Sequence, residues 1–429
     1  MLICFIVVLL SASFVGADVV TDWNDLVLET IKQNDLRPTE STRTLAMVHA
    51  AIYDAVNAID KTHEVYFVEA PVKYPVSREA AAAAAAHRIL TTLFPDESDI
   101  YDEELDSTLS RISNQKAKKH GIALGRYVAD AIIEWRSDDG SDLMAPYDPK
   151  IRPGIWRPTP PAFADPVGTN WLYVTPFAMT SAAQFRPGPP PDLRSWDYAA
   201  ALNEVKVLGA LHSPYRNREQ TEIAYFWADD FESVSPPGRW NVIAEIIAER
   251  YDNTLSENAR LFALLNIGLA DACICAWDCK YTYDLWRPIT AIREADTDRN
   301  HWTVPDRHWK PLLTTPAFPE YTSGHSTFGA TAAVIMAHFF GSDNICFKLE
   351  STSPNAGPRT FRSLSQAASE NGISRIYGGL HFSFANVEGL KAGRKIANYV
   401  YANSLRPVDS NMRSGPKVSA QTTDQDVID

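Results

Sequence analysis

The segment Lys280-Tyr-Thr-Tyr-Asp-Leu-Trp-Arg287-Pro288 is the first of three short stretches around which the rest of the chain is organised. The second is Pro319-Glu-Tyr-Thr-Ser-Gly-His325, and the third is Ser374-Arg-Ile-Tyr-Gly-Gly-Leu-His381. Together they supply three cations, a serine hydroxyl, a glycine amide and two imidazoles. Guanidinium and ammonium groups neutralise oxyanions, and hydroxyl and amide groups donate hydrogen bonds to the remaining oxygens. The three segments therefore predict a pocket for one tetrahedral oxyanion.

The first segment ends a predicted helix over residues 257–287. This helix is apolar on nearly all sides, which predicts that it lies buried at the centre of the protein. Lys280 and Arg287 are separated by a spacing that returns to nearly the same helix face about 10 Å further along the axis. A pair of cations usually marks a solvated face, but this helix has little room for one. Both residues are therefore candidates to hold the anion.

The second and third segments supply hydrogen-bond donors and a third cation. Ser323 and Gly324 stand at the start of a predicted helix over residues 323–340. A serine there can simply cap the helix, but the free N–H groups and the dipole of a helix N-terminus also favour an anion. In the third segment, Gly378-Gly379 predicts a bend in the backbone. This bend can turn Arg375 and the residues after it toward one anion.

Two histidines, His325 and His381, close the second and third segments. In such a pocket one imidazole could bond to the central atom, as a ligand or a nucleophile, while the other transfers protons. A single histidine is more often an ordinary core or surface residue. A role for either one therefore depends on both lying beside the same cations. We interpret the other histidines, such as His49 and His338, as ordinary residues.

Helical periodicity dominates the rest of the chain, and alternating strand patterns are nearly absent. We therefore predict an all-α fold of two stacked helical bundles, one in residues 18–144 and a catalytic one in residues 195–404. Residues 145–194 between them are rich in proline, which prevents regular structure, and in aromatic residues, which argue against disorder. We expect an ordered strap there, packed over a cleft. Residues 405–429 are polar and lack periodicity, which predicts a flexible tail.

The N-terminus resembles a secretory signal peptide, because residues 2–15 are an apolar run that ends at the small residues Val15-Gly16-Ala17. We expect residues 1–17 to be removed, leaving a secreted chain that begins at Asp18 and has no membrane span. An N-terminal membrane anchor is the alternative, but the apolar run is short for a span. The formal net charge of −13 at pH 7 argues against nucleic acid and anionic membranes as partners. An anion site must therefore be a local basic pocket in an acidic protein.

Four cysteines follow the predicted signal peptide, at Cys273, Cys275, Cys279 and Cys346. The first three crowd onto the predicted central helix, where their spacing is poor for bridging one another. We expect buried thiols, with a disulfide between Cys346 and one of the other three as the alternative.

The order Lys-x6-Arg-Pro, Ser-Gly-His and Ser-Arg-x5-His resembles the three-part signature of the vanadium-dependent haloperoxidase and type 2 phosphatidic-acid phosphatase superfamily. The flanking sequence is similar to the haloperoxidase-like branch, in a predicted N-terminal helix at residues 45–59 and in the proline-rich segments 156–161 and 184–191. Phe318-Pro-Glu-Tyr before the Ser-Gly-His piece is also typical of that branch. The likeness extends from about residue 39 to residue 403.

The resemblance implies a vanadate cofactor, with vanadium bonded to His381, and phosphate as an ion that can occupy the same pocket. It also implies that His325 is the acid–base group. Trp277 and Phe318 fall where aromatic residues flank the halide site of chloroperoxidase-type members. The vanadate oxygens would be held by Lys280, Arg287, Arg375, Ser323 and the backbone amide of Gly324.

Two positions depart from the family pattern. Thr322 stands where proline is usual, and Ala385 stands where many members carry Asp four residues after the last histidine. A carboxylate beside a ligating histidine orients the ring and raises its basicity. With Ala385 in that place, we expect a backbone carbonyl to accept the hydrogen bond from the second ring nitrogen of His381.

These features allow three functions. The first is a secreted haloperoxidase that oxidises a halide with hydrogen peroxide to hypohalous acid. The second is a phosphatase that cleaves a small phosphoester, with His381 as nucleophile and His325 as acid. The third is a non-catalytic helical protein. The sequence leaves the halide, the organic acceptor and the oligomeric state open, and a homo-oligomer is among the states it allows.

Overall fold

The computed structural model describes residues 18–229 and 233–408 of the chain, and these residues are mostly helical. The predicted signal peptide at residues 1–17, and all of the predicted tail except residues 405–408, lie outside the described residues. Secretion therefore stays a prediction. The N-terminal part contains α1 (Val19–Gln33), α2 (Pro38–Asp60), α3 (Arg78–Leu93), α4 (Ser98–Ser110) and α5 (Gln115–Arg136), with a short 3-10 helix at Pro95–Glu97.

The C-terminal part begins after the proline-rich strap, which itself holds a 3-10 helix at Trp171–Tyr173. Strands β1 (Phe347–Leu349) and β2 (Arg359–Phe361) pair in antiparallel fashion. Residues 359–361 pair as a strand, so the helix that follows them begins only at Leu364. The prediction of an all-α fold of helical bundles is confirmed. The helices here are α6 (Trp196–Leu208), α7 (Arg218–Phe226), α8 (Ser235–Arg250), α9 (Leu255–Tyr283), α10 (Pro288–Arg293), α11 (Gly324–Phe340), α12 (Leu364–Tyr377) and α13 (Ser383–Asn403).

Small residues let the helices of both bundles approach closely. In the first bundle α3 packs along α5, and a Cβ atom on Gly125 would lie 2.2 Å from the carbonyl oxygen of Ala81. In the second bundle α11 packs along α13, and a Cβ atom on Gly393 would lie 2.4 Å from the carbonyl oxygen of Thr327. Only glycine fits at either contact. Helices α2 and α9 pack against each other and join the two bundles.

Helix α9 is the buried central element that the sequence predicts. Among the residues that the structure describes, it is the one helix long and apolar enough to cross a membrane, but 94% of its most apolar window is buried inside the protein. The helix ends at Tyr283, and Asp284 adopts left-handed backbone geometry with φ of 54°. The prediction that Arg287 lies on this helix was therefore wrong. Pro288 disfavours helical backbone at the residue before it, and Arg287 is extended, with ψ of 155°.

The proline-rich strap is ordered, as predicted, and it is fastened to α9. The Asp271 carboxylate accepts hydrogen bonds of 2.6–2.9 Å from three successive backbone amides of the strap, Phe177 to Met179. Burial raises the pKa of Asp271 to about 6, and the three amides act in the opposite direction. The strap is also held by an ion pair between Arg186 and Asp278, and by a hydrogen bond from the Val167 amide to the Ala317 carbonyl.

Three of the four cysteines are buried thiols as expected, and the expectation of burial was wrong for Cys346. Cys273, Cys275 and Cys279 are buried on α9, and Cys346 is exposed. All four are free thiols, so the alternative disulfide from Cys346 does not form.

Replacing Asp271 with asparagine tests how the strap is held. We expect Asp271→Asn to lower the free energy of unfolding by about 2–3 kcal/mol, because charged hydrogen bonds are lost and the new amide donors are buried without designed partners. Urea unfolding followed by circular dichroism measures this loss. The matched control is Asp165→Asn, at an exposed carboxylate of the same strap, which we expect to unfold like the wild type. Equal midpoints for Asp271→Asn and the wild type would show that Asp271 does not hold the strap.

Candidate active site

The three segments singled out in the sequence meet in one buried pocket. Lys280, Arg287 and Arg375 all lie close enough to His381 to lower its pKa, which burial already takes well below the usual value. The pKa of His325 is lowered well below its usual value by burial and by the same three cations. The three cationic residues and His381 are each at most 3% exposed. The structure thus brings together cations and imidazoles that stand up to 101 positions apart in the sequence.

Lys280 joins the first segment to the second. Its ammonium group donates hydrogen bonds to the backbone carbonyls of Pro319 and Glu320, at 3.2 and 3.0 Å, and to that of Thr322. Burial, with a contribution from the nearby charge of Arg287, holds the pKa of Lys280 well below its usual value. The last turn of α9 therefore places a fixed ammonium group against the loop that precedes α11.

Arg287 joins the first segment to the other two. Its Nε donates to the Phe318 carbonyl at 2.8 Å, and its Nη1 donates to the Leu380 carbonyl at 3.1 Å. The same Nη1 lies 3.2 Å from Nε2 of His381. Burial lowers the pKa of Arg287 to about 9. Its Nη2 is buried and has no hydrogen-bond partner within residues 18–229 and 233–408.

The N-terminus of α11 carries the two predicted hydrogen-bond donors. Ser323 is the N-cap of this helix, and its Oγ accepts a hydrogen bond of 3.3 Å from the Ser326 amide. Oγ also lies 2.8 Å from the Ser326 hydroxyl. Gly324 is the first residue of the helix, where a backbone N–H has no acceptor within its own helix. Ser323 therefore caps the helix and also lies where it can bind an anion, so both interpretations of this motif apply.

The predicted bend is present between Arg375 and His381. Helix α12 ends at Tyr377, and Gly379 adopts left-handed backbone geometry with φ of +80°. The amides of Leu380 and His381 then turn back to donate to the Arg375 carbonyl, at 2.9 and 3.3 Å. This turn places the guanidinium group and the imidazole in the same pocket.

His325 is held by a group that the sequence did not suggest, the backbone carbonyl of Trp227. This carbonyl accepts a hydrogen bond from the His325 ring, and another of 3.0 Å from Nη1 of Arg375. The second ring nitrogen of His325, Nε2, is buried and finds no partner in the part of the chain that the structure describes. A carbonyl acceptor leaves no mark in residue types, so sequence reasoning had no signal for Trp227.

Glu320 is the second residue that sequence reasoning missed. Its Oε1 lies 2.8 Å from Nδ1 of His381 and accepts a hydrogen bond of 2.9 Å from the Phe382 amide. The expectation that a backbone carbonyl would bond to His381 was therefore wrong, because Glu320 supplies a carboxylate from a different segment than Ala385. Burial raises the pKa of Glu320 to about 7. The signal was available, since this acidic residue stands inside the second quoted segment.

An aromatic wall lies beside the cations. The rings of Trp277 and Phe318, the two predicted halide-site residues, have centroids 5.1 Å apart. The Phe318 ring lies 5.0 Å from the ammonium nitrogen of Lys280 and 4.7 Å from the guanidinium carbon of Arg287. The strap covers this wall, because Nε1 of Trp277 donates to the Val167 carbonyl at 3.4 Å. The cations therefore meet an apolar surface on one side of the pocket.

Comparison with known proteins agrees with this arrangement. Residues 260–410 match the family model of the VCPO second helical-bundle domain. The chain is 26% identical to vanadium chloroperoxidase from Curvularia inaequalis, over 87% of this chain and 78% of that protein. It also superposes on the crystal structure of the first bacterial vanadium-dependent iodoperoxidase with a TM-score of 0.80 and 29% identity, covering 91% of this chain and 97% of that one.

The family model, the chloroperoxidase relative and the iodoperoxidase structure together support assignment of the chain to the vanadium haloperoxidase superfamily. A holo-type bacterial vanadium-dependent chloroperoxidase shares the fold of this superfamily member, with a TM-score of 0.70 and 17% identity over 86% of this chain and 92% of that one. The comparisons confirm the predicted superfamily and the prediction of a haloperoxidase-like enzyme.

The donor set of this haloperoxidase-like pocket fits vanadate. Three buried cations surround His381, while Nη2 of Arg287 and Nε2 of His325 lack hydrogen-bond partners in the described ranges. An oxyanion would supply both the negative charge and the acceptors that these groups need. Nη1 of Arg287 can only donate, so Nε2 of His381 is an acceptor and Nδ1 carries the proton that is donated to Oε1 of Glu320. The lone pair of His381 then lies on Nε2, toward the cations.

Binding of anions to the purified protein tests this pocket. We expect orthovanadate and phosphate each to raise the melting temperature, since an anion at 100 times its Kd stabilises the native state by about 2.7 kcal/mol. In His381→Ala we expect the vanadate effect to fall to the level of phosphate, because the bond to the central atom is lost while the cations remain. The control is Arg218→Ala, at an exposed cation that we expect to leave both effects unchanged. No stabilisation of the wild type by either anion would contradict the site.

Proposed function

We propose that the protein is a vanadate-dependent haloperoxidase that oxidises a halide with hydrogen peroxide. In the overall reaction the O–O bond of peroxide breaks, the halide gives up two electrons, and hypohalous acid and water are formed with uptake of one proton. The observation that supports this most is the meeting of three buried cations and two imidazoles in a chain whose relatives are haloperoxidases. Vanadate, when bound, supplies the Lewis acid that activates the peroxide.

The cations stabilise negative charge on the oxygens of the bound anion. Lys280 is fixed by backbone carbonyls, and Arg287 by the carbonyls of Phe318 and Leu380, so neither has to reorganise during the reaction. Because the pocket is buried, fixed charges act there through a low dielectric and are more effective than in water. Charge stabilisation is therefore the main contribution of these side chains.

His325 is the group that moves protons. One ring nitrogen is bonded to the Trp227 carbonyl, so Nε2 is the atom that can accept and return a proton. Burial and the three cations lower the pKa of His325 well below its usual value, which keeps the ring neutral and able to act as a base at neutral pH. We propose that Nε2 takes a proton as peroxide binds and returns it to the oxygen that leaves as water.

The aromatic wall is the proposed site of halide approach. Trp277 and Phe318 form an apolar surface, and Phe318 lies within 5.0 Å of the Lys280 ammonium group. A large, weakly hydrated halide loses little on entering such a surface, and the adjacent cations offset its charge. This places the halide beside the anion held by the cations.

Phosphoester hydrolysis is the second candidate function. The pair of Glu320 and His381 leaves the lone pair of Nε2 facing the cations, which is also the arrangement of an imidazole nucleophile. Phosphate and vanadate are nearly isosteric, so the same donors would hold either. The relatives favour the haloperoxidase function.

A direct assay separates the two functions. We expect the vanadate-loaded protein to halogenate a phenol in the presence of peroxide and bromide or iodide, and the anion-free protein to cleave p-nitrophenyl phosphate slowly or not at all. Brisk phosphoester cleavage, with no halogenation at any pH, would overturn the haloperoxidase proposal.

Substitution of the histidines tests their roles in this assay. We expect His381→Ala to abolish halogenation and His325→Ala to reduce turnover by about 10²–10⁴-fold, the usual contribution of a general acid–base group. The matched control is His338→Ala, which removes a histidine from the same helix as His325. It should retain wild-type turnover. A fully active His381→Ala protein would show that the site is assigned to the wrong residues.

A further inference from the structure

Glu320 is a buried residue whose carboxylate forms hydrogen bonds to the third segment and to the residue after it. It is fully buried, and its Oε1 bonds both to Nδ1 of His381, at 2.8 Å, and to the Phe382 amide, at 2.9 Å. Its backbone amide donates to the Leu285 carbonyl at 2.9 Å, and its own carbonyl accepts from the Lys280 ammonium group at 3.0 Å. One residue therefore connects all three segments of the pocket.

Two neighbours of His381, Arg287 and Glu320, determine which ring nitrogen carries the proton. A backbone amide can only donate, so Oε1 acts as an acceptor toward Phe382. Nη1 of Arg287 likewise can only donate, so Nε2 of His381, 3.2 Å away, is the acceptor and Nδ1 carries the proton that is donated to Oε1. The ring is held in one tautomer and one orientation, with the lone pair of Nε2 directed at the cations.

In the part of the chain that the structure describes, Glu320 forms no salt bridge with Lys280 or Arg287, although, against the lowering effect of burial, its charge acts through space to raise the pKa of both groups. Its ion-pair partner is His381. The cations instead bond to backbone carbonyls, which leaves their positive charge available to an anion. The carboxylate thus reaches the pocket by hydrogen bonding through the imidazole.

We propose that Glu320 is the positioning residue for His381 and sets the affinity of the pocket for vanadate, in place of the carboxylate that the chain lacks at Ala385. This inference rests on the proposed vanadate site, but not on halide oxidation. A ligand that bonds to Nε2 depends on the orientation and basicity of the ring. An anion held only by the cations does not. Vanadate and phosphate should therefore respond differently to the loss of Glu320.

The test is the Kd of orthovanadate and of phosphate, each measured by calorimetry on anion-free Glu320→Ala, Glu320→Gln and wild-type protein. We expect Glu320→Ala to bind vanadate about 10–100-fold more weakly, as is usual when the partner of a metal-ligating histidine is lost. Phosphate should bind as well as before, or more tightly because a negative charge is removed. Glu320→Gln keeps an acceptor oxygen at nearly the same place, so its vanadate affinity should lie between those of Glu320→Ala and the wild type.

A control variant distinguishes a specific effect of Glu320 on His381 from a general loss of pocket structure. Asp54→Asn removes another buried carboxylate that binds backbone amides, far from the three segments in sequence, and should leave both Kd values unchanged. Equal weakening of vanadate and phosphate in the Glu320 variants would mean that the residue only supports the pocket wall, and would overturn the inference. A Kd for vanadate in Glu320→Ala that lies within twofold of the wild-type value would overturn the inference as well. A wild-type protein that binds vanadate tightly but oxidises no halide would refute the proposed function and leave this inference standing.

Discussion

The constraint on which the structure depends is the burial of three cations in one pocket. An isolated charge in the protein interior is costly unless hydrogen bonds or an opposite charge compensate for its lost hydration. Lys280 and Arg287 are compensated mainly by backbone carbonyls, which orient them without neutralising them. The positive potential of the pocket therefore survives folding, and it is the property that an oxyanion recognises.

Holding those carbonyls in place requires the fold around them. The loop before α11 presents the carbonyls of Pro319, Glu320 and Thr322 to one ammonium group. Lys280 at the end of α9 bonds to that loop, and Glu320 in the loop bonds to His381 and Phe382 in the turn after α12. The strap adds a cover, since Val167 bonds both to Trp277 on α9 and to Ala317 in the loop. Each of these elements contributes polar backbone atoms to the pocket, which explains why irregular segments lie in the middle of a helical protein.

The sequence was sufficient for the helical architecture, the ordered strap and the set of residues that meet. Periodic apolar spacing determines helices, and a cluster of rare side chains marks a pocket even when the segments are distant. It was insufficient wherever a backbone atom or a helix end decides the outcome. The sequence analysis placed Arg287 on α9 because residue spacing carries no information about the left-handed backbone of Asp284. Pro288 did indicate that the residue before it is not helical. Trp227 contributes only its carbonyl, which every residue possesses.

The carbonyl of Trp227 has a consequence for how the site tolerates change. It accepts hydrogen bonds from both His325 and Arg375, and it lies at the C-terminal end of α7. A displacement of α7 would therefore carry the proton-transfer group and one of the anion-binding cations in the same direction, and the spacing between them would be kept. Substitutions that change the packing of α7 should therefore move His325 and Arg375 together relative to Lys280. The width of the pocket would change, while the distance between His325 and Arg375 would stay the same.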